Sequence, residues 1–183
     1  MTATIIIIAF VALLVVWGIG MQRKLVSAEE FCKNSMSQIG VQQNSRWDAL
    51  TALAELVKSY NEHEYKTLMD VIGQRKEITS SSSAAEAQAQ EDALAKALSQ
   101  VKLVVERYPE LKANEQYLKA MDSVNTYENQ VRLARMTYND SVTKYNRLVR
   151  QFPDSLVAGL LHFAVKDYLA EPAGKTEMPS MKI

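Results

Sequence analysis

The chain has 183 residues, 6 Gly, 4 Pro and a single Cys, with Lys+Arg and Asp+Glu both at 21 and a formal charge of zero. That length leaves one ordinary domain, and so few Gly and Pro favour long regular elements with few turns. The two charge signs mix without long blocks, which argues against a nucleic-acid partner because that needs a basic field, and the lone Cys32 excludes an internal disulfide.

From Ile5 to Ile19 the chain carries no charge, and eleven of these residues are Ile, Val, Leu or Phe. At a bilayer centre such side chains contribute about 3 to 6 kcal/mol toward insertion. Counted from Ala3 to Met21, the run reaches the minimum of about 17 to 20 residues needed to cross the hydrocarbon. Residues 1–21 are therefore expected to form a membrane anchor. It is expected to be retained, because no side-chain charge precedes the run and Gly18-Ile19-Gly20 imitates a cleavage site poorly. Arg23 and Lys24 follow it directly, and the positive-inside bias then puts the amino terminus outside and the rest in the cytoplasm.

Residues 22–40 read as a juxtamembrane helix, continuous with the next one or kinked at Gly40, and residues 41–152 as a bundle of long helices. From Trp47 to Ile78 apolar positions step by three and four: Trp47, Leu50, Ala54, Val57, Leu68 and Val71, with Asn61, Glu64 and Arg75 interposed. Four serines, Ser80 to Ser83, break the pattern. Ser83-Ala84-Ala85-Glu86 then matches a capping box, predicting a helix start. That helix carries Ala87, Leu94, Leu98, Val101, Val105 and Tyr108 in steps of three and four, with Glu91 completing the series, and Pro109 ends or kinks it.

The longest seam is Tyr117, Met121, Val124, Glu128, Val131, Arg135, Tyr138, Val142, Tyr145, Val149 and Phe152, stepping by three and four throughout. It predicts a long helix packed at a shallow angle in coiled-coil fashion. Phe152-Pro153 ends it. Residues 153–169 read as a short apolar helix, in which Leu156, Leu160, Leu161 and Phe163 offer a self-association or membrane contact. Residues 170–183 read as a disordered tail. No strand alternation occurs, so the expected fold is all-α: an amino-terminal transmembrane helix followed by an elongated antiparallel helical bundle.

Glu64, Arg75, Glu128 and Arg135 put charge on otherwise apolar seams. Two readings stand: solvated rim residues, or a buried network that fixes register at a cost in stability. Charge matching pairs Glu64 with Arg135 and Arg75 with Glu128 across antiparallel helices, within or between chains. Simple up-down-up counting instead sets the helices parallel and Glu64 beside Glu128. Asn125, Asn139 and Asn146 lie beside the long seam, either bonding across a helix interface or forming its polar shoulder.

No catalytic constellation appears. His63-Glu64 begins like a zinc-protease motif, but Thr67 stands where the second His is needed. No Gly-rich phosphate loop or nucleophile motif is present, so neither enzymatic activity nor a cofactor is expected.

The string Val105-Glu106-Arg107-Tyr108-Pro109-Glu110-Leu111-Lys112-Ala113-Asn114, with Thr126-Tyr127-Glu128-Asn129, Ala134-Arg135, Tyr138-Asn139, Tyr145-Asn146 and Phe152-Pro153, resembles the bacterial LemA family. Tyr60, His63-Glu64, Arg75 and Ala158-Gly159-Leu160 fit the same pattern, and the resemblance covers roughly Ser37 to Phe163. It implies one amino-terminal membrane span and a long helical bundle, and no established enzymatic activity. The combined expectation is a non-enzymatic scaffold in a bacterial inner membrane that self-associates through its long helices. The alternative is a monomeric regulatory adaptor for a membrane sensor or protease. The partners expected are the lipid bilayer, further copies of the chain and an unidentified membrane protein.

Overall fold

The computed structural model describes residues 1–170. Its first element, α1 (Thr2–Lys58), is one unbroken helix of 57 residues that runs from the apolar leader into the heart of the bundle. No boundary divides anchor from juxtamembrane helix, and Gly40 does not interrupt it. Gly40 serves instead as a point of close approach. A Cβ there would stand 1.9 Å from the Ile78 carbonyl oxygen, so only glycine admits the returning chain.

Beyond the leader, α1 presents Cys32, Met36, Ile39, Gln43, Arg46, Leu50, Leu53 and Val57 in alternating steps of four and three, and all eight are buried. The helix ends at Lys58, and α2 (Glu62–Ile72) begins after Asn61, whose side-chain oxygen accepts from the His63 and Glu64 amides. This corrects the reading of one helix from Trp47 to Ile78. Asn61 occupies a seam position by spacing, but its side chain competes for backbone amides and starts a new helix.

After α2 the chain returns along α1 without regular structure. Arg75 pairs with Asp48 and Ile78 rests on Gly40, so this stretch runs antiparallel to α1. α3 (Ala84–Arg107) then starts on the expected capping box: the Ser83 hydroxyl accepts from the Glu86 amide, and Glu86 accepts from the Ser83 amide at 2.7 Å. Pro109 opens the single turn α4 (Pro109–Lys112), where its missing amide costs nothing. Asn114 caps α5 (Glu115–Arg150) through the Gln116 and Tyr117 amides.

The contacts set the topology. Gln43 reaches Ala87 and Arg46 reaches Glu91, so α3 is parallel to α1; Ser35 meets Ser141 and Arg46 meets Glu128, so α5 is antiparallel to both. The return along α1 explains why up-down-up counting fails: α2 and the irregular stretch together make the descending leg.

α6 (Asp154–Leu160) is shorter than the helix expected through residue 169. His162 adopts φ 59°, the Phe163 amide bonds the Ala158 carbonyl, and the His162 amide bonds Gly159. These are the two bonds of a Schellman termination, with a histidine where glycine is usual. Past it, residues 163–170 run extended along α5. Ala170 belongs to this strap; the rest of the tail assigned to 170–183 lies outside the described residues.

Two apolar clusters fill the bundle. The distal one joins Trp47, Leu50, Leu53 and Val57 to Leu68, Leu94, Val101, Leu111 and Val124. The proximal one joins Cys32, Met36 and Ile39 to Ile78, Ala87, Tyr138, Val142, Tyr145 and Leu169. A small third cluster, Met21, Leu25 and Ala158, closes the end nearest the leader.

Candidate functional site

Between the two large clusters lies a polar layer. Arg46, 4% exposed, sends Nη1 to Glu91 on α3 and Nη2 to Glu128 on α5 at 3.3 Å. Beside it Gln43 donates to the Ala87 carbonyl at 3.1 Å and contacts Glu91. One guanidinium thereby ties three helices together. A long side chain fixed by two carboxylates on separate helices sets their register, at the cost of desolvating its charge.

The four charged seam residues have separate partners. Glu128 meets Arg46 in the layer just described. Glu64 pairs with Arg107 at the far end of α3, and Arg75 pairs with Asp48 at 2.8 Å on the surface. Arg135 is buried and donates from Nη2 to Gln88 at 2.7 Å and to the Ala170 carbonyl. The expected Glu64–Arg135 and Arg75–Glu128 matches are therefore replaced by pairs on other elements, because the break at Asn61 takes Glu64 and Arg75 off the seam of α1. Sequence reasoning found Glu128 and Arg135 and set Glu91 on the α3 seam without a partner, but missed Gln43 and Arg46. The signal was present: carrying the α1 seam back from Leu50 to Cys32 places Gln43 and Arg46 on it.

The second feature is the strap. Asn146 donates to the Lys166 carbonyl at 2.8 Å and accepts from the Lys166 amide at 2.9 Å. Seven residues earlier, Asn139 repeats the same pair of bonds with Leu169, both at 3.0 Å. Seven helical residues advance about 10.5 Å and three extended residues about 10 Å, so the two ladders stay in register. Tyr145 and Tyr138 add hydroxyl bonds to the Ala164 and Asp167 carbonyls. Lys166 reaches across to Glu29 on α1 at 3.2 Å, so the strap stitches α5 to α1. Burial pushes the Tyr138 and Tyr145 hydroxyls above their ordinary pKa, keeping them neutral donors.

The third feature is the corner nearest the leader. α6 packs through Val157 and Ala158 onto Met21 and Leu25. Phe163 is drawn into the proximal clusters, whereas Leu156, Leu160 and Leu161 stay exposed. Of the four residues expected to share one contact face, Phe163 therefore faces the protein. Arg23 and Lys24 lie alongside, in an open groove completed by Ser27, Ala28, Phe31 and Leu148.

Within α1 an uncharged stretch of mean hydropathy 2.7 is long and apolar enough to cross a membrane, and only 6% of it is buried by the protein. Among the described residues, no three His, Cys, Asp or Glu side chains group so as to hold a metal. The arrangement is that of an all-helical bundle built on an amino-terminal candidate membrane helix.

The chain belongs to the LemA family, whose model matches residues 35–183. No curated protein matches it.

Proposed function

We propose that the protein is a non-enzymatic scaffold, fixed to a bacterial inner membrane by α1, that self-associates and organises partners or the membrane surface. The observation that carries this reading is the continuity of α1: one helix supplies both an apolar leader almost free of protein contacts and the central seam of the bundle. Without a hinge at the bilayer, the bundle is held at a set angle, as suits a fixed platform. Arg23 and Lys24 favour a cytoplasmic bundle and an external amino terminus. Half-exposed Leu133 and Met136, one turn apart on the outer side of α5, supply apolar surface for a second copy. Light scattering on detergent-extracted full-length protein is expected to give multiples of its 20.6 kDa mass. Monomer at every concentration would overturn self-association.

The second reading, a monomeric adaptor for a membrane sensor or protease, is favoured by a different observation. The long seams of α1 and α5 turn inward onto the chain's own helices, leaving no seam for a neighbour to cover. Loss of a co-purifying membrane protein on deleting the tail from Glu171 onward supports this reading over the first.

A further inference from the structure

α6 and the turn before it carry an apolar face that the protein leaves bare. Phe152 is 75% exposed, Leu156 61%, Leu160 77% and Leu161 44%. Leu156 and Leu160 stand four apart on one stripe, while Ala158 on the opposite side docks against Met21 and Leu25, with the half-buried Val157 on the flank.

The position of that docking along α1 identifies the occupant. Met21 is the last large apolar residue before the first charge, Arg23. At 1.5 Å per residue, Leu25 lies about 6 Å beyond Met21. The polar layer on each side of the hydrocarbon is roughly 5 to 8 Å thick. A helix seated on Met21 and Leu25 therefore sits at the level of lipid headgroups. The exposed charged side chains at this level are basic, Arg23 and Lys24 on α1 and Arg150 in the last turn of α5, with the partly buried Asp154 of α6 beside them. Arg147 lies a turn farther from the leader, level with Glu29 and Glu30, which pair with Lys33. An apolar stripe rimmed by cations is the composition of an interfacial helix on an acidic bilayer.

We propose that α6 with Phe152 is a second membrane contact, lying in the headgroup layer of the leaflet from which α1 emerges. The proposal rests on α1 being a membrane anchor and adds a contact that the anchor does not require. It fixes the rotation of the bundle about α1, since only one side of the rod then rests on lipid.

The test uses full-length protein in vesicles of phosphatidylethanolamine and phosphatidylglycerol that include nitroxide lipids labelled both at the headgroup and at mid-chain. A fluorophore is attached in turn to Val11→Cys, Leu160→Cys and Leu118→Cys; the native Cys32 is 1% exposed and stays unlabelled. Leu118 is exposed near the amino end of α5, at the far end of the bundle. Strong quenching at Val11 and Leu160, at least threefold above Leu118, is expected. Quenching at Val11 with Leu160 no higher than Leu118 overturns the second contact and leaves the anchor intact. An unquenched Leu160 that cross-links to Leu160 of another copy overturns it too, assigning the stripe to self-association. Absence of quenching at Val11 overturns the anchor and the contact together.

Discussion

Asn146 and Lys166 clasp one another through two hydrogen bonds, the side-chain amide of one taking both backbone groups of the other. Since Asn139 does the same to Leu169, α5 grips the strap by its backbone as well as through the buried Leu169 side chain and the Lys166 ammonium over the Tyr145 ring. Replacing Asn146 or Asn139 by Ala leaves a backbone donor and acceptor unpaired in a partly buried place, worth about 1 to 3 kcal/mol each. Hydrogen exchange should quicken at Lys166 and Leu169 in both variants while the α3 amides stay protected. Unchanged exchange in the strap means that its apolar contacts alone hold it.

Gly40 and Ile78 make the tightest backbone approach at a described glycine, with no room for a methyl group. Gly40→Ala is expected to destabilise the bundle by about 2 kcal/mol or more, through displacement of the returning chain. Gly20→Ala, with nothing within 4 Å of the added Cβ, is the matched control and should leave stability unchanged or raise it by up to about 1 kcal/mol. Chemical unfolding in detergent micelles measures both.

Arg46 depends on its carboxylates. Glu91→Leu removes the partner on α3 and leaves a buried guanidinium with Glu128 alone among the carboxylates described for it, an expected loss of about 3 kcal/mol. Adding Arg46→Met should recover most of that loss, because an apolar side chain of similar length removes the desolvated charge. A double mutant as unstable as the sum of the single ones would show that the layer contributes packing rather than charge pairing.

Burial raises the pKa of Cys32 and of Tyr117, Tyr138 and Tyr145 above their ordinary values. Each is an acid whose neutral form the fold prefers, so the stability it contributes is present below the unfolded pKa. That stability is lost as pH rises, from about 8.5 for the thiol and about 10 for the tyrosines. Unfolding free energy is therefore expected to fall between about pH 8.5 and 11. Cys32 should resist maleimide at neutral pH until the bundle unfolds. Prompt labelling of native protein would mean that the proximal cluster opens.

Much of this architecture is legible in the residues. The apolar leader, the Ser83 capping box, the stop at Pro109 and the α5 seam each follow from local chemistry, and each falls where the spacing sets it. The failures also have physical causes. Asn61 fits the seam by spacing while its side chain terminates the helix, so periodicity alone carried the pattern across a real break. The α1 seam read from Trp47 forward does not reach Arg46; traced back to Cys32, it exposes Gln43 and Arg46 as polar intrusions. His162 ends α6 in a left-handed conformation that a glycine would have announced. The strap is the hardest to foresee. Asn139 and Asn146 bind main-chain groups, which every residue offers alike, so the apolar Phe163 and Leu169 alone do not mark where on α5 the strap lies.

The central claim is that a single stiff helix joins bilayer and bundle. Pulsed electron resonance between spin labels at Ile8→Cys and Val41→Cys, both exposed on α1, measures it in lipid nanodiscs. Thirty-three helical residues should hold the labels about 50 Å apart in one narrow distribution. A broad distribution centred well below that distance would place a joint between membrane and bundle, contradicting the account.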